Sequence, residues 1–333
     1  MNKLIVLATY LLFLLSVSSC GVDDELELQR DYLYVEDHLT SGNCDKALSA
    51  MLSMKEQSGD ATYYKLLASS YACKAGFTVT GFFANEIIKI VAGAEILSGL
   101  SSFTIAQEMT NIDSLDYYYI TKAVDTLVYS GGVGPVTKNP SATLRIQTFG
   151  SYGAADINSL LMYLLFVKNG MNMAFYGNSD ATGAKGAGTV GTNVCLYQYA
   201  DMGDADLDSY VSSISGSMGV CDDTADEGSA ELKNGDGSIK LDRACGLMTD
   251  FNNLIDVLSN LTIGNVSDAD LVTLLSDVST VQDAFTAGPV ATYGLSNNLI
   301  TVKNTDECVT EFTGSEEQVG FYMASFFETL HSR

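Results

Sequence analysis

The sequence predicts an all-α protein, and three features support that prediction. Apolar residues recur at helical spacing in successive segments, beginning with Ala47, Leu48 and Met51. Only 3 of the 333 residues are proline, so few positions would interrupt a helix. Hydrophobic residues make up 47% of the chain. The composition therefore predicts a folded, helix-rich protein, and the chain is long enough for one large core or two ordinary domains.

The best-defined elements are two helices predicted within residues 42–77. The turn Gln57-Ser58-Gly59-Asp60 separates them, and Asp60 is the expected N-cap of the second helix. That helix carries the pattern Tyr64-x-x-Leu67-Ala68-x-x-Tyr71, which resembles the tetratricopeptide repeat. In that family the small residue lets two helices approach closely, and the larger residues fill the groove beside it.

The resemblance covers roughly residues 28–99 and implies antiparallel helical hairpins of the tetratricopeptide-like α-solenoid type. We expect this helical region to span residues 26–176. A helix over 25–40, with Leu28, Leu33, Tyr34 and Leu39 near helical spacing, would open it. Residues 80–100 would form a buried helix of the solenoid, since the segment has no basic polar face, and a helix on a membrane surface is the alternative. In the family, such hairpins present a concave surface that binds peptides or proteins.

Further along the chain, a glycine-rich loop over residues 177–203 is the expected division, and a degenerate helical half (204–333) follows it. The apolar run 160–167 is only eight residues long, so it predicts a core segment and not a membrane span. The remaining helices are predicted at 114–129, 141–175, 205–217, 241–261, 267–285 and 307–330. Ser141 is the expected N-cap of the helix at 141–175.

The first 19 residues have the features of a signal peptide. Lys3 precedes an apolar core over residues 4–15, and Val17-Ser18-Ser19-Cys20 resembles a bacterial lipobox. The resemblance implies that Cys20 becomes the lipidated N-terminus, with palmitate-like chains on a tether of residues 20–25. Gly21 replaces the aspartate that retains such lipoproteins in the inner membrane, which favours the outer membrane, facing the periplasm. A plain secretory signal with a chance cysteine is the alternative.

Six cysteines remain after Cys20, and an even number in an exported chain predicts three disulfides. Cys44 would open one helix of the antiparallel pair and Cys73 would close the other. The two would therefore lie at the same end of the pair, and we expect them to be bonded. The other four cysteines allow several connectivities, with a preference for bridges within residues 195–308.

The composition excludes one class of partner. The chain has a formal net charge of −24 and only 17 lysines and arginines, too few to neutralise nucleic-acid phosphates. The acidity favours a solubilising surface over an acidic binding patch.

We expect no enzyme activity, cofactor or metal, because each candidate motif lacks a residue or a neighbouring element that its function requires. The glycine fingerprint at 186–191 follows turn-forming residues and not a strand. Asp204-x-Asp206-x-Asp208 lacks the glycine and the distal carboxylate of a calcium loop. The two histidines, His38 and His331, are far apart.

These features together predict a membrane-anchored lipoprotein that acts as a protein-binding scaffold or envelope-assembly adaptor. Its partners would be envelope proteins or peptides, with the membrane engaged through the lipid. The alternative is an accessory ligand-handling lipoprotein of a solute transporter.

Overall fold

The computed structural model describes residues 20–78, 109, 111–132, 140–177, 195–218, 221, 228–260 and 280–328. These residues are helical or in turns and contain no strand, which confirms the all-α prediction. In this part of the chain, every helix is too short or too polar to span a bilayer. The predicted signal peptide, the predicted helix at 80–100, most of the predicted helix at 267–285 and most of the predicted glycine-rich loop lie outside the described residues.

The chain divides into two units, the first ending at Glu56. In the first unit, α1 (Cys20–Thr40) packs against α2 (Cys44–Ser53). Gly42, with φ of 70°, reverses the chain between them. The Asn43 N–H donates to the His38 carbonyl at 2.8 Å and the Gly42 N–H to the Leu39 carbonyl at 3.1 Å. These bonds give hydrogen-bond donors to two of the carbonyl groups at the C-terminal end of α1.

The buried face of α1 differs from the one predicted. Tyr32 and Val35 are buried, whereas Leu33 and Tyr34 are 65% and 52% exposed. Positions 28, 32, 35 and 39 follow the helical period and form one face, and Leu33 and Tyr34 lie off it. The helix also begins at Cys20, so the segment expected to be a tether forms its first turns.

The second unit begins at Gln57. Asp60 caps its first helix as predicted, because its carboxylate accepts a hydrogen bond from the Thr62 N–H at 2.8 Å. Its longer helices in the described part of the chain are α3 (Ala61–Lys74), α4 (Leu115–Val128), α5 (Ala142–Tyr176), α6 (Ala205–Met218), α7 (Leu241–Asn260), α8 (Thr305–Phe312) and α9 (Glu316–Tyr322). Short helical turns, Thr286–Val290, Ala291–Tyr293 and Asn298–Thr301, precede α8.

Helix α5 is the centre of this unit, since it packs against α3, α4 and α7. Ser141 caps it as predicted, and its backbone departs from helical geometry at Gly150. The apolar run 160–167 is almost entirely buried, as expected of a core segment. Helices from both sides of the predicted glycine-rich loop thus share one core.

The C-terminal segment is two helices and not the single helix predicted over 307–330. Gly314, with φ of 84°, separates α8 from α9, a conformation that glycine adopts without strain. Its N–H donates to the Glu316 carboxylate at 2.9 Å. After α9 the chain continues as a buried π-helical turn, Met323–Glu328.

The repeat-like pattern on α3 is partly buried. Tyr64 and Ala68 are buried, whereas Leu67 and Tyr71 are half-buried. The Tyr64 ring lies 5.8 Å from that of Phe149 on α5, and the Tyr71 ring stacks at 6.5 Å on Tyr119 of α4. This helix therefore packs against both α4 and α5.

Candidate ligand-binding pocket

A polar cavity of about 290 Å³ lies in the second unit. Side chains from α4, α5 and α7 line it, together with residues 303–306, which lead into α8. The volume is just below the usual range for ligand sites, about 300–1,000 Å³. The cavity therefore suits a very small ligand.

A buried ion pair forms one wall of the cavity. The Lys168 Nζ atom lies 2.9 Å from Asp250 Oδ1, and both side chains are almost completely buried. Asn172 Nδ2 donates to the second Asp250 oxygen at 3.4 Å, and the Tyr117 ring centroid is 5.7 Å from Nζ. Burial is the largest single effect and opposes the charged form of Lys168. The attraction to Asp250, Tyr117 and Asp125 and the hydrogen bond to Asp250 together outweigh burial, so the lysine pKa is raised. The charged pair thus joins α5 to α7 across the core.

A second carboxylate, Asp125 of α4, lines the same cavity. Burial raises the pKa of Asp125, and the positive charges of Lys168 and Lys122 offset only part of this effect. No N–H or O–H group of the described residues donates a hydrogen bond to its carboxylate. Asp125 is therefore an acceptor without a donor in the part of the chain that the structure describes.

Asn253 of α7 also presents an unused acceptor. Its Nδ2 donates to the carbonyls of Thr249 and Lys303, each at 2.9 Å. Only the amide nitrogen can donate two such bonds, so the orientation of the side chain is determined. Asn253 is 4% exposed, and its Oδ1 atom has no hydrogen-bond partner. The buried Thr121 hydroxyl of α4 has none either.

The rim of the cavity is held by its own hydrogen bonds. Asn304 Nδ2 donates to the Tyr129 hydroxyl at 2.8 Å, and Asn304 Oδ1 accepts from the Glu307 N–H at 3.0 Å, capping α8. Burial raises the pKa of Tyr129 to about 12, and the negative charge of the nearby Asp125 is the second largest contribution to this rise. The phenol therefore keeps its proton and can donate it into the cavity.

The lysine at the rim, Lys303, is already paired. Its Nζ atom lies 3.7 Å from Asp256 Oδ1. The other Asp256 oxygen accepts from the Ala142 N–H at 2.7 Å and lies 3.8 Å from the buried Arg145 guanidinium. Asp256 thus shares its negative charge between Lys303 and Arg145 and also holds the start of α5.

The predicted cysteine sites have different outcomes. Two bridges, Cys195–Cys221 and Cys245–Cys308, confirm the preference for pairing within the C-terminal half. Cys44 begins α2 in the first unit, whereas the buried Cys73 lies in the last turn of α3 in the second. A bridge between them would join the two units, and it stays a prediction. Cys20 begins α1, and its lipidation also stays a prediction.

A second polar cluster surrounds Glu328 and is structural. Glu328 Oε1 accepts hydrogen bonds from the N–H groups of Leu196 and Tyr197, at 2.7 and 3.2 Å. The carboxylate also lies near Cys195 and Cys221, the one grouping in the described residues with three possible metal ligands. Because the two sulfurs are bonded to each other, they are not available as thiolates. The cluster therefore ties this bridge to the C-terminal turn.

The acidic and glycine motifs do not contribute to the cavity. Asp204 Oδ1 accepts from the Leu207 N–H at 2.7 Å, so it caps α6, as expected for acidic residues at a helix start. Asn234 and Gly237 form a turn in which the Gly237 N–H donates to the Asn234 carbonyl at 3.1 Å. The glycine fingerprint at 186–191 lies outside the described residues.

Sequence reasoning did not find the pocket residues Asp125, Lys168, Asp250 and Asn253. One signal was present: Lys168 directly follows the apolar run 160–167, where a cation needs a buried partner. No family model matches the chain, and neither do any curated proteins or solved structures.

Proposed function

We propose that this is an exported binding protein that holds a small polar ligand in the cavity between α4, α5 and α7. The observation that carries the proposal is the Asp125 carboxylate, which lines the cavity and receives no hydrogen bond from the described residues. An unsatisfied buried acceptor costs about 1–3 kcal/mol. A bound ligand that donates to this carboxylate removes that cost.

Among the two functions expected from the sequence, this geometry favours the accessory ligand-handling lipoprotein. The proposal assigns binding and not catalysis, because Lys168 is committed to Asp250 and Lys303 is close to Asp256. The assignment of α3 and its neighbours to the tetratricopeptide-like solenoid type remains part of the proposal, supported by the pattern from Tyr64 to Tyr71.

The scaffold function is the second candidate, and an observation in the first unit favours it. Leu26, Leu33 and Tyr34 of α1 are each more than half exposed. Large exposed apolar side chains on one helix are typical of a surface that contacts another protein.

Ligand binding is tested with the substitution Thr121→Leu. Leucine places additional carbon atoms in the cavity wall, so we expect the variant to lose a small molecule that native mass spectrometry detects on the wild-type protein. Thr126→Leu is the matched control: Thr126 is on the same helix, bonds to the Lys122 carbonyl and does not line the cavity. A wild-type protein without ligand, or equal occupancy in both variants, would contradict the function.

The lipid anchor has a separate test. We expect the mature chain to begin at Cys20 and to carry two or three acyl chains, because two chains are needed for stable anchoring. Intact-mass measurement of the purified protein shows the added mass directly. Cleavage at another residue, or an unmodified Cys20, would remove the outer-membrane assignment without affecting the pocket.

A further inference from the structure

We infer that the ligand carries a protonated amine, whose N–H groups bind the Asp125 carboxylate. This inference rests on the proposed ligand-binding function and specifies its substrate class.

The unused polar atoms of the cavity are mainly acceptors. The Asp125 carboxylate receives no hydrogen bond from the described residues, and Asn253 Oδ1 is buried without a partner. A carboxylate and an amide oxygen accept hydrogen bonds but donate none. The complementary group is therefore rich in donors, and an ammonium group offers up to three N–H bonds.

The charge balance of the cavity also favours a cationic ligand. Lys168 is paired with Asp250 at 2.9 Å, and Lys303 lies 3.7 Å from Asp256. The lining carries three aspartates, among them Asp125 and the exposed Asp306, but only two lysines, so its formal charge is −1. The positive charge of Lys122 acts to lower the pKa of Asp125 and so compensates part of that negative charge, but Lys122 does not line the cavity, and its Nζ atom lies 5.6 Å from the Tyr118 ring centroid. A cationic ligand compensates this excess, whereas an anion would be repelled by Asp125.

A bare metal ion fits the described residues less well than an ammonium group. Hard cations take about six or more oxygen ligands at short range. Asp125, Asp250 and Asp306 do not form a group with ligand atoms within 4.8 Å of one another in the part of the chain that the structure describes.

The rim supplies a complementary donor. The Tyr129 hydroxyl accepts from Asn304 Nδ2 and retains its own proton, which can be donated to a ligand oxygen. We therefore expect a compound with an ammonium group at one end and a hydroxyl or other oxygen acceptor at the other.

The test compares compounds that differ in one terminal group: 4-amino-1-butanol, 1,4-butanediol and 4-hydroxybutyrate. Binding to the full-length purified protein is measured by calorimetry. We expect the amino alcohol to bind about tenfold or more tightly than the other two, since a charged hydrogen bond distinguishes it.

The variant Asp125→Asn keeps the shape of the side chain and removes its charge. We expect it to weaken binding of the amino alcohol by about tenfold or more. The melting temperature without ligand should stay equal or rise at pH 7. Burial raises the pKa of Asp125, so ionisation costs stability above its unfolded-state pKa, and the amide removes that cost. Asp283→Asn, at an exposed position, is the matched control and should change neither quantity.

The possible outcomes separate the inference from the function. If 1,4-butanediol or 4-hydroxybutyrate binds as well as the amine and Thr121→Leu abolishes that binding, the amine inference is wrong and the pocket function stands. Unchanged amine affinity in Asp125→Asn also overturns the inference. If none of the compounds binds and the wild-type protein carries no ligand, the function and the inference fail together.

Discussion

Replacing Lys168 with methionine is expected to lower the free energy of unfolding by about 3–5 kcal/mol. The substitution keeps most of the side-chain volume but leaves the Asp250 carboxylate buried without its 2.9 Å cationic partner. The Asn172 amide, at 3.4 Å, is the remaining donor to Asp250 among the described residues. Chemical denaturation monitored by circular dichroism measures the loss.

The exposed pair Lys65–Asp156 provides a matched control. Its two atoms are also 2.9 Å apart, but the side chains are 37% and 61% exposed. Because solvent screens such pairs, Lys65→Met should cost less than about 1 kcal/mol. The double variant Lys168→Met/Asp250→Leu should recover much of the stability lost in Lys168→Met, since no buried charge is left unpaired. Equal losses from Lys65→Met and Lys168→Met would show that burial is not the cause.

Replacing both Cys245 and Cys308 with alanine is expected to lower the stability by about 4 kcal/mol. The bridge joins residues 63 apart in sequence, and the chain-entropy model gives this value for a loop of that length. The bridge also attaches α8 to α7, and residues 303–306 at the start of α8 form the rim of the cavity. We therefore expect ligand affinity to fall as well.

The Cys195–Cys221 bridge allows the effect on stability to be separated from the effect on ligand affinity. Cys195 and Cys221 are 26 residues apart, so replacing both with alanine should cost roughly 3–4 kcal/mol. Neither residue lines the cavity, and the ligand affinity of this variant should match that of the wild type at a temperature where both are folded. A loss of affinity confined to the Cys195/Cys221 variant would contradict the role assigned to the rim.

The sequence alone determined most of the helices of the second unit and several of their ends. Asp60 and Ser141 were recognisable as caps because a side-chain oxygen beside the first free N–H groups is a local feature. Helices α4, α6 and α7 begin at or next to their predicted residues, since an apolar period and a flanking turn are also local. The preference for bridges within residues 195–308 was likewise confirmed.

Only the tertiary structure decided which face of each helix is buried and where polar residues meet. Leu33 and Tyr34 of α1 are as apolar as Tyr32 and Val35, and packing against α2 selected the second pair. The pocket combines Asp125, Lys168 and Asp250, which lie on three different helices. Each is an ordinary charged residue by composition, and no local spacing relates positions so far apart. Their pairing depends on α5 packing between α4 and α7, where low dielectric and desolvation give these charges their effect.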